Sequence, residues 1–86
     1  MTPALAISAE KTLSLADLAP GERARLERMD LPPEHRIRLL ELGMTPGTEV
    51  TFLQRAPLGD PLVFAVRGTR LALRCRDAES IAVSRR

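Results

Sequence analysis

The chain has 86 residues, 44% of them hydrophobic, and a formal net charge of +2 at neutral pH. This length allows one domain with a thin core, and the core must be aliphatic because Phe52 and Phe64 are the only aromatic side chains. A single cysteine excludes an internal disulfide bond, and no stretch approaches the ~20 apolar residues that cross a bilayer. The weak charge and the absence of Trp and Tyr argue against a dedicated nucleic-acid binder. With no basic, apolar secretory signal at the N-terminus, the sequence predicts a cytoplasmic domain.

The N-terminal part contains a leader, a capped turn and a strand. We expect residues 1–13 to be a flexible leader, although Leu5 and Ile7 alternate with small residues and leave an edge strand open. Residues 14–17 have the Ser-x-x-acid form of a helix cap, and Pro20-Gly21 stops that helix after about one turn. From residue 22, apolar and charged residues alternate, which is typical of a strand with one wet face. One domain is expected to cover residues 14–86.

A short helix is predicted for residues 33–42. Pro32-Pro33 suits the first turn of a helix, and Gly43 suits the left-handed position that ends one. Ile37, Leu40 and Met44 recur at helical spacing, so we expect this face to pack on the rest of the domain.

Three strands follow, joined by short turns. The alternating runs are residues 49–55, 62–67 and 70–76, and a last short strand includes Ile81 and Val83. Residues 77–79 are expected to form a short turn or 3₁₀ segment before that last strand. Five short antiparallel strands, with a helical insertion between strands 1 and 2 and this single helical turn before the last strand, predict a mainly β domain folded as a small SH3-like barrel. Barrel closure would leave no free strand edge.

Five segments resemble one protein family in their order and spacing. They are LADLAPGE (15–22), RLLELGMTPGTEV (38–50), RAPLGDPL (55–62), RGTRLALR (67–74) and AESIAV (78–83). Each segment alone is not diagnostic, because its residues are those that any turn favours. In their order and spacing, however, the segments are similar to the FeoA family of ferrous-iron transport proteins over about residues 13–84.

This resemblance implies an SH3-like barrel and a role in Fe(II) uptake. A FeoA-type protein is a small cytosolic accessory of FeoB, the membrane Fe(II) transporter that carries a cytosolic GTPase domain. Similar domains form the C-terminal part of iron-dependent repressors of the diphtheria toxin repressor type. The alternative function is therefore an adaptor that regulates an iron-dependent transcription factor. A weak RNA-binding barrel is a third hypothesis.

The sequence offers no catalytic set, cofactor motif or metal-ligand set. A transition-metal site usually needs three or four ligands, and the chain has one histidine, His35, and one cysteine, Cys75, forty residues apart. By strand parity Cys75 is expected in the core beside Leu71 and Leu73. We therefore predict a protein that is not an enzyme and acts by binding a partner.

Three surfaces are candidates for that binding. Apolar residues beyond one helical stripe predict a partner groove between helix and barrel. A row of arginines on the predicted strand 70–76 forms either a docking patch or a solvated exterior paired with Glu27 and Glu49. The loop 57–61 is either a rigid turn or a contact loop. The predicted partner-binding residues are Leu39, Leu42, Met44, Leu58, Arg70, Arg74 and Arg76. Self-association into a homo-oligomer is left open.

Overall fold

The computed structural model describes residues 13–85. The strands are β1 (Leu13–Ser14), β2 (Arg23–Met29), β3 (Glu49–Arg55), β4 (Leu62–Val66), β5 (Thr69–Leu73) and β6 (Ile81–Arg85). The helices are α1 (Pro33–Glu41) and α2 (Cys75–Ala78), and a 3₁₀ turn covers Leu15–Asp17. Except for Leu13, which belongs to β1, the predicted leader lies outside the described residues.

All strand pairs are antiparallel, in the order β1-β6-β2-β3-β4-β5. The prediction of a mainly β domain with a helix between its first long strands is confirmed. The strand beyond the expected five is the two-residue β1. The ladder has two ends, however, and no described strand pairs with the outer edge of β5. The sequence predicts that closure of the barrel leaves no free strand edge. Within the described residues, however, the outer edge of β5 is free.

The core is aliphatic around a pair of phenylalanines. Phe52 of β3 lies opposite Phe64 of β4, with ring centroids 5.2 Å apart. In β2 the alternation of buried residues shifts after Leu26, so that Met29, three positions later, is also buried. A break in register between Leu26 and Arg28 accounts for the shift, because a bulge adds one residue to one strand.

The C-terminal end of α1 decides which of its apolar residues enter the core. Gly43 has a φ of +103°. Its N–H and that of Met44 donate to the carbonyls of Leu40 and Leu39, both at 3.0 Å. This is a Schellman ending, in which the residue after the glycine packs against the residue four positions before the glycine. Leu39 and Met44 are accordingly buried.

The prediction that Ile37 and Leu40 pack on the barrel is wrong. Their exposed fractions are 53% and 37%, because the pairing of Leu39 with Met44 turns another face of α1 inward. Met44 is fully buried and does not reach the surface, so it cannot contact a partner as predicted.

The strand predicted for residues 70–76 ends earlier than expected. β5 stops at Leu73, and Cys75 begins α2. The Asp60 carboxylate accepts a hydrogen bond from the Cys75 N–H at 2.9 Å, which satisfies a free donor at the start of that helix. Strand parity therefore does not apply to Cys75, which is only half-buried and donates from Sγ to the Gly59 carbonyl at 3.3 Å.

Candidate functional site

An open groove of about 660 Å³ lies between α1 and β5. This volume falls in the range of about 300–1,000 Å³ that is usual for ligand-binding clefts. The groove follows the part of β5 that no described strand covers. Its lining residues are Leu31, His35, Arg38, Leu39, Leu42, Arg70, Leu71, Ala72, Leu73, Arg74, Arg76 and Asp77.

The floor of the groove is apolar. Leu71 and Leu73 alternate with exposed residues along β5, and each is 7% exposed. Leu39 approaches from α1 and is 7% exposed as well, whereas Leu42, at the end of the helix, is 43% exposed. An apolar side chain that entered here would lose water contact and touch leucines from both elements.

The rim of the groove is cationic. Four arginines, two of them from the segment after β5, line the groove together with a single carboxylate, that of Asp77; they are Arg38, Arg70, Arg74 and Arg76. Within residues 13–85 the ion pairs are Arg23–Glu49, Arg28–Asp30 and Arg85–Glu22, and none involves a groove arginine. The rim therefore carries a net positive charge, with Asp77 as its one lining carboxylate.

The acidic partners considered for the arginine row lie elsewhere. Glu49 lies opposite Arg25 on the β2–β3 ladder and forms an ion pair with Arg23 at 4.0 Å. Glu27 accepts a hydrogen bond from the Ser84 hydroxyl at 2.6 Å, between β2 and β6. These positions weaken the interpretation of the row as a solvated exterior neutralised by Glu27 and Glu49.

The groove brings together five of the seven predicted partner-binding residues: Leu39, Leu42, Arg70, Arg74 and Arg76. Leu58, at 97% exposed, is the tip of the loop 57–61 and does not line the groove. Arg55 donates to the Gly59 carbonyl at 3.2 Å and helps to hold that loop. Arg38 was missed, although its position one residue before Leu39 places it at the border of the buried helix face.

The described residues contain no group of three or more His, Cys, Asp or Glu side chains that could hold a metal ion. His35 is exposed and lies at the groove. None of the helices in residues 13–85 has the length and apolar character needed to span a membrane.

The family model of the FeoA domain matches residues 13–85. The FeoA protein of Chlorobium tepidum is 36% identical, with a TM-score of 0.83 over 85% of this chain and 70% of the other. Iron(II) transport protein A of Clostridium thermocellum is 37% identical, with a TM-score of 0.79 over 85% of this chain and 45% of the other. No curated protein matches the chain.

A third relative identifies the architecture of the fold. The FeoA of Stenotrophomonas maltophilia, solved in complex with zinc, is 36% identical, with a TM-score of 0.70 over 84% of this chain and 89% of the other. It is described as an SH3 domain protein, which confirms the predicted SH3-like fold. A manganese-dependent transcriptional repressor shares the fold at a TM-score of 0.76 and 17% identity over 88% of this chain and 42% of the repressor. The chain belongs to the FeoA domain family, which is associated with ferrous iron transport.

Proposed function

We propose that this protein is a cytoplasmic accessory protein of Fe(II) uptake that acts by binding the cytosolic part of FeoB through the groove between α1 and β5. The observation that carries the proposal is the groove itself, with its leucine floor and four arginines that take part in none of the ion pairs found within residues 13–85. Protein interfaces commonly combine an apolar centre with a charged rim that steers the encounter.

The proposal assigns different tasks to the two kinds of residue. Leu42 is the exposed apolar anchor, because it can become buried only when a partner arrives. Arg70 and Arg74 set the sign of the partner's surface, which must be acidic. No catalytic step is involved, and the protein acts on the transporter through contact alone.

The alternative is an adaptor that regulates an iron-dependent transcription factor. The likeness to the manganese-dependent repressor is at 17% identity and supports a shared fold only. The same groove would be available in either role, so the identity of the partner has to be tested directly.

A pull-down with the purified cytosolic domain of FeoB tests the proposal. Arg70→Glu with Arg74→Glu should lower retention by about tenfold or more, as should Leu42→Asp, because loss of a hot-spot residue costs about 2 kcal/mol or more and about 1.4 kcal/mol already weakens binding tenfold. The repressor hypothesis is tested in parallel with an iron-dependent repressor as bait.

Matched controls come from residues outside the groove. Arg23→Glu with Arg25→Glu makes the same change of net charge on β2, and Ile37→Asp places the same charge on the exposed side of α1. Both controls should retain FeoB like the wild type, with circular dichroism confirming that every variant is folded. Equal losses in groove and control variants would contradict the groove, and retention of the repressor alone would contradict FeoB as the partner.

A further inference from the structure

The backbone at the outer edge of β5 is arranged to accept another strand. β4 and β5 are joined by Arg67 and Gly68, both with positive φ (50° and 81°), and Val66 lies opposite Thr69. In such a two-residue hairpin the flanking pair exchanges hydrogen bonds, and the bonding direction then alternates along the strand. The N–H and C=O groups of Arg70 and Ala72 therefore point away from β4.

These outward groups have no strand partner within residues 13–85. β5 ends the ladder, and no turn or loop hydrogen bond of the described chain uses the N–H or C=O of Arg70 or Ala72. The β4–β5 register runs without a bulge, and β5 contains no proline. Two of the devices that usually block an exposed edge are therefore missing from β5.

The side chains beside this edge define what the added strand must contain. Leu71 and Leu73 lie on one face of β5 and continue into the leucine floor of the groove. Arg70 lies on the other face, and Arg74 follows just beyond the strand. Because successive residues of a strand point to opposite faces, a segment that alternates acidic and apolar residues satisfies both sides at once.

We propose that the groove binds an extended acidic segment of a partner protein as a seventh strand, antiparallel to β5, with apolar side chains toward Leu71 and Leu73 and carboxylates toward Arg70 and Arg74. This inference deepens the proposed function, on which it rests, by giving the chemistry and the backbone conformation of the partner segment. Strand addition to a sheet edge is a common mode of peptide recognition, with affinity from main-chain hydrogen bonds and specificity from alternate side chains.

Two other occupants fit the groove less well. A second copy of this chain, paired through β5, would bring the arginine rows of both copies together, and like charges across strands are destabilising. A single-stranded nucleic acid matches the charge but usually stacks its bases on several large aromatic side chains, and the lining residues include no Phe, Tyr or Trp.

The experiment uses the full 86-residue chain and a short peptide of alternating Glu and Val residues. Amide chemical shifts should change mainly along β5, and the amides of Arg70 and Ala72 should exchange more slowly with solvent when the peptide is bound. A peptide of alternating Lys and Val residues tests whether the negative charge of the segment is needed. An oligouridine tests whether the groove prefers a nucleic acid to a peptide. No binding of the acidic peptide, or tighter binding of the oligouridine, overturns the proposal.

N-methylated peptides test the strand itself. Residues opposite each other in an antiparallel pair share a face, so the Glu amides should be the ones that face β5. Methylating them should weaken binding about tenfold, since several main-chain hydrogen bonds are lost, while methylating the Val amides should change it less than about threefold. The reverse result supports strand addition but contradicts the antiparallel orientation, and equal effects contradict strand addition.

The outcome is separable from that of the proposed function. If the cytosolic domain of FeoB is retained by wild type and lost by the groove variants, but the acidic peptide does not bind, the strand-addition inference fails and the proposed function stands. If the peptide binds with the expected methylation pattern but FeoB is not retained, the proposed function fails and the partner is another protein with such a segment.

Discussion

Leu39 and Ile37 lie two positions apart on α1 but differ in what they contribute to stability. Leu39 is buried with Met44, and Ile37 is 53% exposed. Leu39→Ala should lower the free energy of unfolding by about 2–4 kcal/mol, because it leaves a cavity, and Ile37→Ala by less than about 1 kcal/mol. Urea unfolding followed by circular dichroism measures both. Similar losses in the two variants would contradict the packing described for α1.

Glu22 and Arg85 make stability depend on pH. The Arg85 guanidinium donates to the Glu22 carboxylate and lowers its pKa below the ordinary 4.5, and the Ala19 N–H, at 2.8 Å, lowers it further. A carboxyl whose pKa is lowered by folding stabilises the folded state above its ordinary pKa, and this stabilisation disappears as the pH falls through the lowered value.

Glu22→Gln should therefore have a lower melting temperature than wild type at pH 7, and the difference should shrink as the pH falls below 4.5. Arg85→Gln should show the same dependence, because it removes the other half of the pair. Thermal unfolding between neutral and acidic pH provides the measurement, and a difference that stays constant with pH would count against the pair as its cause.

Residue burial on α1 could be predicted only in part from the sequence. Helical spacing correctly marks an apolar surface, but Ile37, Leu39, Leu40 and Leu42 fill so much of it that several faces qualify. The Gly43-Met44 pair was the deciding signal, because a Schellman ending selects Leu39 as the packing partner of Met44. Its hydrogen bonds depend on backbone angles that periodicity does not contain.

At the level of elements, the β4–β5 hairpin carries an arginine in an unfavourable conformation. Arg67 has a φ of 50°, in the left-handed region that Asn and Gly adopt more readily. Arg67→Asn should raise the free energy of unfolding by about 0.5–1 kcal/mol, because Asn adopts the positive φ that this turn position requires at a lower cost than Arg.

Gly68→Ala is the opposite control, since Gly68 has a φ of 81° and no atom that would contact an added Cβ. It should lower the free energy of unfolding by about 1 kcal/mol through backbone strain alone. Urea unfolding distinguishes the two directions. Destabilisation by both substitutions would indicate that packing of the Arg67 side chain beside Gly43 stabilises the fold by more than the positive φ of Arg67 costs.

Element order follows from the sequence more closely than element ends do. Turn residues and alternation predict every strand from β2 to β6, because glycine and proline have local conformational effects. The end of β5 depends on a contact across fifteen residues, from Asp60 to the Cys75 N–H, which no local pattern reveals. The free edge of β5 was missed for the same reason, since whether a sheet closes is decided by the packing of the whole domain.

Across the whole molecule, the charges are distributed unevenly despite a net charge of only +2. Within residues 13–85 the ion pairs lie on β2, β3 and β6 or just outside them, on the part of the sheet away from β5. The arginines of the groove remain outside these pairs. The small net charge therefore hides a local positive field, and composition alone could not reveal the groove that carries it.

This field should control how fast a partner binds. Exposed charges act over about 10 Å at 0.1 M salt and about 3 Å at 1 M, so the association rate constant with an acidic partner should fall as salt rises. Arg70→Glu with Arg74→Glu should lower that constant by about tenfold at low salt and flatten its salt dependence. Stopped-flow or surface plasmon resonance measurements with the cytosolic domain of FeoB separate association from dissociation.

Arg23→Glu with Arg25→Glu changes the net charge by the same amount on another part of the sheet. If the groove steers the encounter, this control keeps most of the salt dependence of the wild type, because the field near the groove is unchanged. If total charge is what matters, both double variants lose the dependence equally. Equal loss would remove the reason for assigning an acidic partner to the α1–β5 groove, because the arginines there would have no more effect than arginines on β2.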